Sequence, residues 1–190
     1  MITRSLIILF FISSFFSCHS PKIDKAKVED ILKTLKDGQA KIIVKIDGED
    51  FYVDESVFIG EISVYQNSFR MNVTDQFESN VILSFSQNNW NVAQKPIKQK
   101  VTVENQVNAS VMVGKVKDKI KRLGEGYLLA EGEMTLETLT KERCILRFGG
   151  TITKFENMNN KSKWQKAEGI VIYKTPKIIL QNLKESEVYF

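Results

Sequence analysis

Apolar residues recur at every second position along most of this chain, and this period constrains its fold more than any other feature. The alternation is clear over residues 42–46, 58–65, 69–73 and 81–85. A period of two is typical of a β-strand with one buried face, because successive side chains point to opposite sides of a sheet. Polar turns separate the runs, and strands do not alternate with long helices as in a parallel sheet. The sequence therefore predicts an all-β domain, an antiparallel β-sandwich or barrel of about ten short strands.

A single helix is predicted before the first strand. Asp24 is a good N-cap, and Gly38 supplies a stop signal. Between them, four apolar residues recur at i, i+3, i+4 and i+7 and form one stripe: Val28, Ile31, Leu32 and Leu35. We expect this helix to pack on the β domain or to shield a sheet edge.

The first 17 residues are typical of a secretory signal peptide. Arg4 precedes a mostly apolar run from Leu6 to Phe16. This run is too short for a bilayer-spanning helix, which needs ~20 residues, but it fits the apolar region of a signal peptide. Because such a segment is removed, the fold must be encoded by the rest of the chain.

Residues 15–18 read Phe-Phe-Ser-Cys and resemble the lipobox of bacterial lipoproteins. The resemblance implies that Cys18 is acylated, with palmitate among its chains, and becomes the first residue of the mature protein. Two or more acyl chains hold a protein stably on a membrane. In the alternative interpretation the signal peptide is cleaved nearby and Cys18 has no special role.

Lipidation would divide the chain into three parts. Residues 1–17 are the signal peptide, residues 18–23 are a lipidated tether, and residues 24–190 are a single β-rich domain with its N-terminal helix. The protein is then expected in the cell envelope, anchored to a membrane such as the outer membrane, on its periplasmic or surface face.

Several short segments carry a second resemblance. All contain alternating apolar residues, and four of them also contain a glycine or an aspartate–glycine turn. They are residues 45–51, 68–73, 81–85, 132–136, 148–152 and 168–171. Together with the lipidation signal, they resemble the small all-β lipoproteins of unknown function found in Bacteroidetes-type cell envelopes. The resemblance implies an envelope-facing β-sandwich and supplies no catalytic residues.

Common catalytic and metal-binding arrangements do not occur in the predicted domain. The one histidine, His19, lies in the tether, which excludes a Ser–His or Cys–His pair within the domain. Zinc sites built from His and Cys lack ligands, and no phosphate-loop or dinucleotide-binding glycine motif is present. Cys144 alternates with Leu146 and Phe148, which predicts a buried and inert thiol. We therefore expect a non-enzymatic protein without a metal or cofactor.

Carboxylates provide the alternative in which the protein is an enzyme. Glu131, Glu133 and Glu137 are predicted on one strand face, opposite Met134 and Leu136. Two facing carboxylates could serve a hydrolase, as they do in glycosidases. A solvated polar strand face explains the same residues without any chemistry.

Two tryptophans are candidate ligand-binding residues. Trp90 and Trp164 each fall in a polar loop, where an exposed ring can anchor a ligand, a sugar ring or a partner. Alternatively, each ring folds back and covers an end of the β domain. The leading hypothesis is a membrane-anchored envelope protein that binds a protein, glycan or lipid. A structural envelope component is the alternative outside the enzyme class.

A basic run is the candidate membrane surface, and its residues are Lys115, Lys117, Lys119, Lys121 and Arg122. Such a run can lie against anionic lipid headgroups. Alternatively, the lysines keep an edge strand soluble. Residues 117–126 are predicted to form a polar connection. Despite the net charge of +4, nucleic acid is not expected as a partner of an exported protein.

Overall fold

The computed structural model of the protein describes residues 23–190. The predicted signal peptide (residues 1–17), Cys18 and residues 19–22 of the tether lie outside the described residues. In chain order the helices and strands are α1 (Lys25–Thr34), β1 (Ala40–Ile46), β2 (Glu49–Asp50), β3 (Phe58–Tyr65), β4 (Ser68–Asp75), β5 (Asn80–Ser86), β6 (Ile97–Val101), β7 (Ala109–Asp118), β8 (Leu123–Leu139), β9 (Arg143–Thr153), β10 (Gln165–Lys174), β11 (Ile178–Leu180) and α2 (Glu185–Val188).

Eight antiparallel strands of the described chain close into a barrel. Around it the order is β3, β4, β5, β7, β8, β9, β10 and β1, and Ala40 pairs with Phe58 to join β1 back to β3. Three short strands flank the barrel, because β2 pairs with β1, β6 pairs with β8, and β11 runs parallel to β3. The predicted all-β fold with one N-terminal helix is confirmed, and its architecture is a barrel.

The inward-facing side chains fill the barrel. In β4, for example, Phe69, Met71 and Val73 are buried, whereas Arg70 and Asn72 between them are exposed. An eight-stranded barrel is just wide enough for its own side chains to fill the interior. Surfaces that can meet another molecule therefore lie on the outer wall and at the two ends.

Gly169 shows how tightly the interior is packed. It lies in β10 directly opposite Phe148 in β9. A Cβ atom at residue 169 would lie 2.3 Å from Phe148 Cζ, much closer than two carbon atoms can pack. The phenylalanine ring thus occupies the space that any other side chain at residue 169 would need.

The two ends of the barrel carry different loops. One end, which we call the hairpin end, comprises the loops 47–57, 76–79, 119–122 and 154–164. The other, which we call the Trp90 end, comprises the loops 66–67, 87–108 and 140–142 together with residues 181–190. Phe51 and Tyr52 are buried at the hairpin end, where Tyr52 Oη donates a hydrogen bond to the Asn80 carbonyl at 2.9 Å.

Helix α1 packs on the outer wall of the barrel. Val28 and Leu32 belong to a second small core with outward-facing isoleucines of the strands: Ile43, Ile145, Ile170 and Ile172. The predicted N-cap is confirmed, because the Asp24 carboxylate accepts a hydrogen bond from the Lys27 backbone nitrogen at 2.8 Å. The helix thus covers apolar strand residues that would otherwise face water, which is why its sequence is amphipathic.

Candidate functional site

A row of polar side chains crosses four neighbouring strands on the outer wall. Ser63 in β3 pairs with Arg70 in β4, Arg70 pairs with Ser84 in β5, and Ser84 pairs with Ser110 in β7. Paired residues of an antiparallel sheet point to the same face, so these four side chains stand side by side. The opposite face of the same strands carries the barrel core.

This row lies in a groove of about 610 Å³, which we call the serine groove. The neighbouring rows add the outward-facing side chains Glu61, Tyr65, Ser68, Asn72, Ile82, Ser86 and Met112. Three of the four side chains in the central row are short serines, so the outer surface of the sheet is recessed along this row. The groove is therefore shallow, polar and open to solvent.

Arg70 is the cation of the serine groove, and within residues 23–190 its guanidinium has no hydrogen-bond or ion-pair partner. The hydroxyl groups of Ser63, Ser84 and Ser110 likewise make no hydrogen bond within that range. The carboxylate of Glu61 is engaged elsewhere, since its Oε2 atom lies 3.1 Å from Lys177 Nζ. The groove thus presents an unpaired positive charge among free hydroxyl groups.

This arrangement suits a ligand that carries an anionic group and several hydroxyl groups. A guanidinium presents N–H donors in a planar fork that matches a carboxylate or a sulfate. Serine hydroxyls both donate and accept hydrogen bonds, so they can meet the hydroxyl groups of a ligand in either sense. The exposed ring of Tyr65 lies in the same groove.

Trp90 does not offer a surface to a ligand. Its side chain is fully buried at the Trp90 end, where it packs edge-on against Phe69 and Phe85 with ring centroids 6.1 and 5.2 Å away. Its Nε1 atom donates a hydrogen bond to the Tyr65 carbonyl at 2.9 Å. The burial of the ring agrees with the alternative interpretation, in which Trp90 folds back and covers an end of the β domain.

Trp164 lies at the hairpin end, so the structure does not bring the two tryptophans together. Its ring is half-buried and lines a pocket of about 510 Å³ that also contains Asp47, Tyr127 and Lys154. Its Nε1 atom donates to the Asn157 carbonyl at 3.1 Å, and Lys161 Nζ lies 5.1 Å from the ring centroid. A ligand contact at Trp164 stays a prediction.

The predicted basic run lies on the β7–β8 hairpin at the hairpin end. The prediction of a polar connection over residues 117–126 is wrong, because these residues continue the two strands and turn at 119–122. Lys115 Nζ donates to the Phe51 carbonyl at 2.8 Å, Lys117 lies 3.1 Å from Glu125, and Lys119 lies 2.9 Å from Glu78. Lys121 lies 3.8 Å from Asp118, and Arg122 is exposed beside it.

The base of this hairpin contains a small hydrogen-bonded network. The Tyr127 hydroxyl donates to Glu125 Oε1 at 2.8 Å, and Lys117 Nζ lies 3.1 Å from Glu125 Oε2. Burial disfavours the charged carboxylate, yet the hydrogen bonds from Tyr127 and Lys117 hold the pKa of Glu125 below its usual value. Burial and the same carboxylate raise the pKa of Tyr127 to about 12.

The glutamates that a hydrolase would need each have a basic partner. Glu131 lies 2.7 Å from Lys161, Glu133 lies 3.6 Å from Lys98, and Glu137 lies 2.9 Å from Arg147. All three are exposed. The carboxylates therefore form a solvated, ion-paired strand face.

Cys144 is fully buried in the barrel core, and burial raises the pKa of its thiol. The predicted burial of this thiol is therefore confirmed. Among residues 23–190, no group of three or more His, Cys, Asp and Glu side chains is placed to hold a metal ion. No helix in this part of the chain is both long and apolar enough to cross a membrane.

Comparison of the chain with known protein families, with curated proteins and with solved structures finds no match. The sequence patterns do not predict the serine groove. A signal for it existed, because Ser63, Arg70 and Ser84 occupy the outward positions of three predicted strands. The strand order that brings these positions together could not be read from the alternation.

Proposed function

We propose that this chain is a lipid-anchored protein of the cell envelope whose barrel binds an acidic glycan in the serine groove. The signal-like N-terminus and the lipobox-like residues 15–18 support the anchor. The observation that carries the binding function is Arg70, an unpaired guanidinium among free serine hydroxyls. The binding role is non-enzymatic, and a purely structural envelope component is the competing function.

A glycan fits the serine groove better than an apolar partner does. Protein interfaces depend on large apolar or aromatic anchors that enter pockets, whereas this groove is lined mainly by hydroxyl and amide groups. A sugar offers many hydroxyl groups, and its carboxylate or sulfate supplies the negatively charged partner that the Arg70 guanidinium lacks. The exposed ring of Tyr65 offers a face against which a sugar ring can pack.

The charge of Arg70 can be tested with two oligosaccharides that share one backbone. We expect oligogalacturonate to bind in isothermal titration calorimetry and its methyl ester, which lacks the carboxylates, to bind much more weakly. Replacing Arg70→Gln should weaken oligogalacturonate binding about tenfold or more, because a hydrogen bond to a charged group is worth roughly 1.5–3 kcal/mol.

Arg122→Gln is the matched control, since it removes the same charge outside the groove. It should leave oligogalacturonate binding unchanged. Equal loss in the two variants would mean that only net charge matters. The proposed ligand class would be wrong if oligogalacturonate and sulfated oligosaccharides did not bind the wild-type protein.

The lipid anchor can be tested by replacing Cys18→Ala in the full-length chain, expressed in a bacterial host. The wild type should incorporate labelled palmitate and enter the detergent phase on phase separation, whereas the variant should do neither. Cys144→Ala removes the other cysteine and should keep the label. The anchor hypothesis fails if wild type and Cys18→Ala partition alike and neither takes up lipid.

A further inference from the structure

The β7–β8 hairpin extends beyond both strands that flank it. Strand β5 pairs with β7 only as far as Gly114, and β9 pairs with β8 only from Leu128 onward. Strand β7 continues four residues beyond Gly114, to Asp118, and these cover about 13 Å along the strand before the turn at 119–122. The hairpin therefore projects from the hairpin end.

The tip of the hairpin is apolar and surrounded by basic residues. Ile120 is 95% exposed and Leu123 is 54% exposed. Residues 115–126 contain five basic and two acidic side chains, so this segment carries a net charge of +3. The ion pairs of Lys119 and Lys121 lie at the surface, where they add little stability and can exchange partners readily.

Other loops at the hairpin end carry exposed apolar side chains as well. Phe155 is 78% exposed, Val53 is 56% exposed and Phe77 is 41% exposed. They belong to three separate loops, 154–164, 47–57 and 76–79. Loop 154–164 is basic, with three lysines and one glutamate, whereas loops 47–57 and 76–79 together contain six acidic and no basic residues. Only the hairpin and loop 154–164 therefore combine exposed apolar groups with basic residues, as a surface that meets the headgroup region of a membrane does.

The start of the described chain points toward the same end. Ile23 accepts a hydrogen bond from Arg147 at 2.9 Å, and Ile23 and Lys27 line a depression with Tyr52 and Val53 of the hairpin end. Helix α1 then runs toward the other end of the barrel, where Lys174 Nζ donates to the Leu35 carbonyl at 2.8 Å.

The chain between Cys18 and Ile23 is short. Five residues can span at most about 17 Å, which is similar to the projection of the hairpin. A lipid on Cys18 would therefore keep Ile23 within about 17 Å of the membrane surface.

We propose that the tip of the β7–β8 hairpin meets the anionic lipid surface of the membrane that holds the anchor, with Ile120 and Leu123 inserted among the headgroups. This inference rests on the lipid anchor of the proposed function. The anchor limits the distance between the barrel and the membrane, and the hairpin determines which end of the barrel faces the membrane. The Trp90 end then points away from the lipid.

Single labels at the two ends test this orientation in the full-length lipidated protein. Ile120→Cys and Val107→Cys give matched sites, because Val107 is 91% exposed at the Trp90 end. Each is labelled with an environment-sensitive dye and reconstituted in vesicles of phosphatidylethanolamine and phosphatidylglycerol that contain nitroxide-labelled acyl chains. Cys144 is buried and should not react in the folded protein.

We expect several-fold stronger nitroxide quenching at residue 120 than at residue 107, with a blue shift at residue 120 only. Equal quenching at the two sites, or stronger quenching at residue 107, would overturn the orientation. A blue shift at residue 120 without nitroxide quenching would also overturn it, because a protein surface would then cover the hairpin. Intact mass of the same samples reports lipid on Cys18 separately, and its absence would overturn the proposed anchor and this inference together.

Discussion

At the scale of single residues, the two tryptophans show why loop position alone does not define a binding site. Trp90 lies in the loop that follows β5, and its ring turns inward and closes the core against Phe69 and Phe85. Trp164 stays at the surface and lines a pocket. The sequence patterns around them are alike, because both lie in polar loops, and only tertiary packing distinguishes them.

The two tryptophans should therefore differ in their contribution to stability. Trp90→Ala should lower the free energy of unfolding by about 3–5 kcal/mol, because it removes a buried aromatic side chain and leaves a cavity. Trp164→Ala should lower it by about 1 kcal/mol or less, as expected for a partly exposed residue. Urea denaturation followed by circular dichroism measures both values, and equal losses would contradict the core role of Trp90.

At the scale of secondary-structure elements, helix α1 links the barrel to the segment that precedes it. The helix is held on one side by Val28 and Leu32 against the strand isoleucines. Its first turn is fixed by the Asp24 cap. Local spacing predicts Asp24, Val28 and Leu32, because helix caps and amphipathic stripes depend on neighbours in sequence.

Loss of the cap should loosen the helix without unfolding the barrel. Asp24→Ala removes the hydrogen bond to Lys27 and should cost about 1 kcal/mol. Hydrogen exchange should become faster over residues 25–34 and stay unchanged over β9 and β10. Asp30→Ala, which alters only an exposed pair with Lys33, is the control and should change exchange less. Equal effects of the two variants would argue against the cap.

The β7–β8 hairpin shows where element-level prediction failed. Residues 117–126 are rich in charge and glycine, which is typical of a polar connection. The strands continue because cross-strand pairing persists as far as Asp118 with Leu123. Such pairing depends on the partner strand, so the composition of either half alone could not predict it.

At the scale of the whole molecule, the barrel should lose stability in alkaline solution. Burial raises the pKa values of Tyr52 and Cys144, and it raises that of Tyr127 to about 12. In the unfolded chain these groups release their protons near pH 8.5 for cysteine and 10 for tyrosine. The folded state keeps protons that the unfolded state loses, so the stabilisation is complete below about pH 8.5 and falls as the pH rises toward 12.

Denaturation midpoints in urea, measured from pH 8 to pH 11, should therefore decrease steadily. Tyr127→Phe removes one of these groups and should make the decrease less steep between about pH 10 and pH 11. A midpoint that stayed constant to pH 11, or an unchanged slope in Tyr127→Phe, would contradict the prediction.

The overall class of the fold could be predicted from the sequence, whereas the site could not. Alternation at Phe69, Met71 and Val73 is enough to predict a strand with one buried face. The serine groove requires that β3, β4, β5 and β7 be neighbours. The pairing of β5 with β7 could not be predicted, because 22 residues separate these two strands in the sequence. Local patterns report which side of a strand faces water, but strand order is decided by contacts that are distant in sequence.

The packed interior of the barrel has a consequence for how a ligand would arrive and leave. A molecule held at Arg70 would meet a wall that is already in its final shape, so capture would need no opening motion. The groove lies on the outer wall of the barrel, so a long polymer could lie across it and extend past either side. Recognition of this kind favours fast exchange with repeating chains over enclosure of a single small molecule.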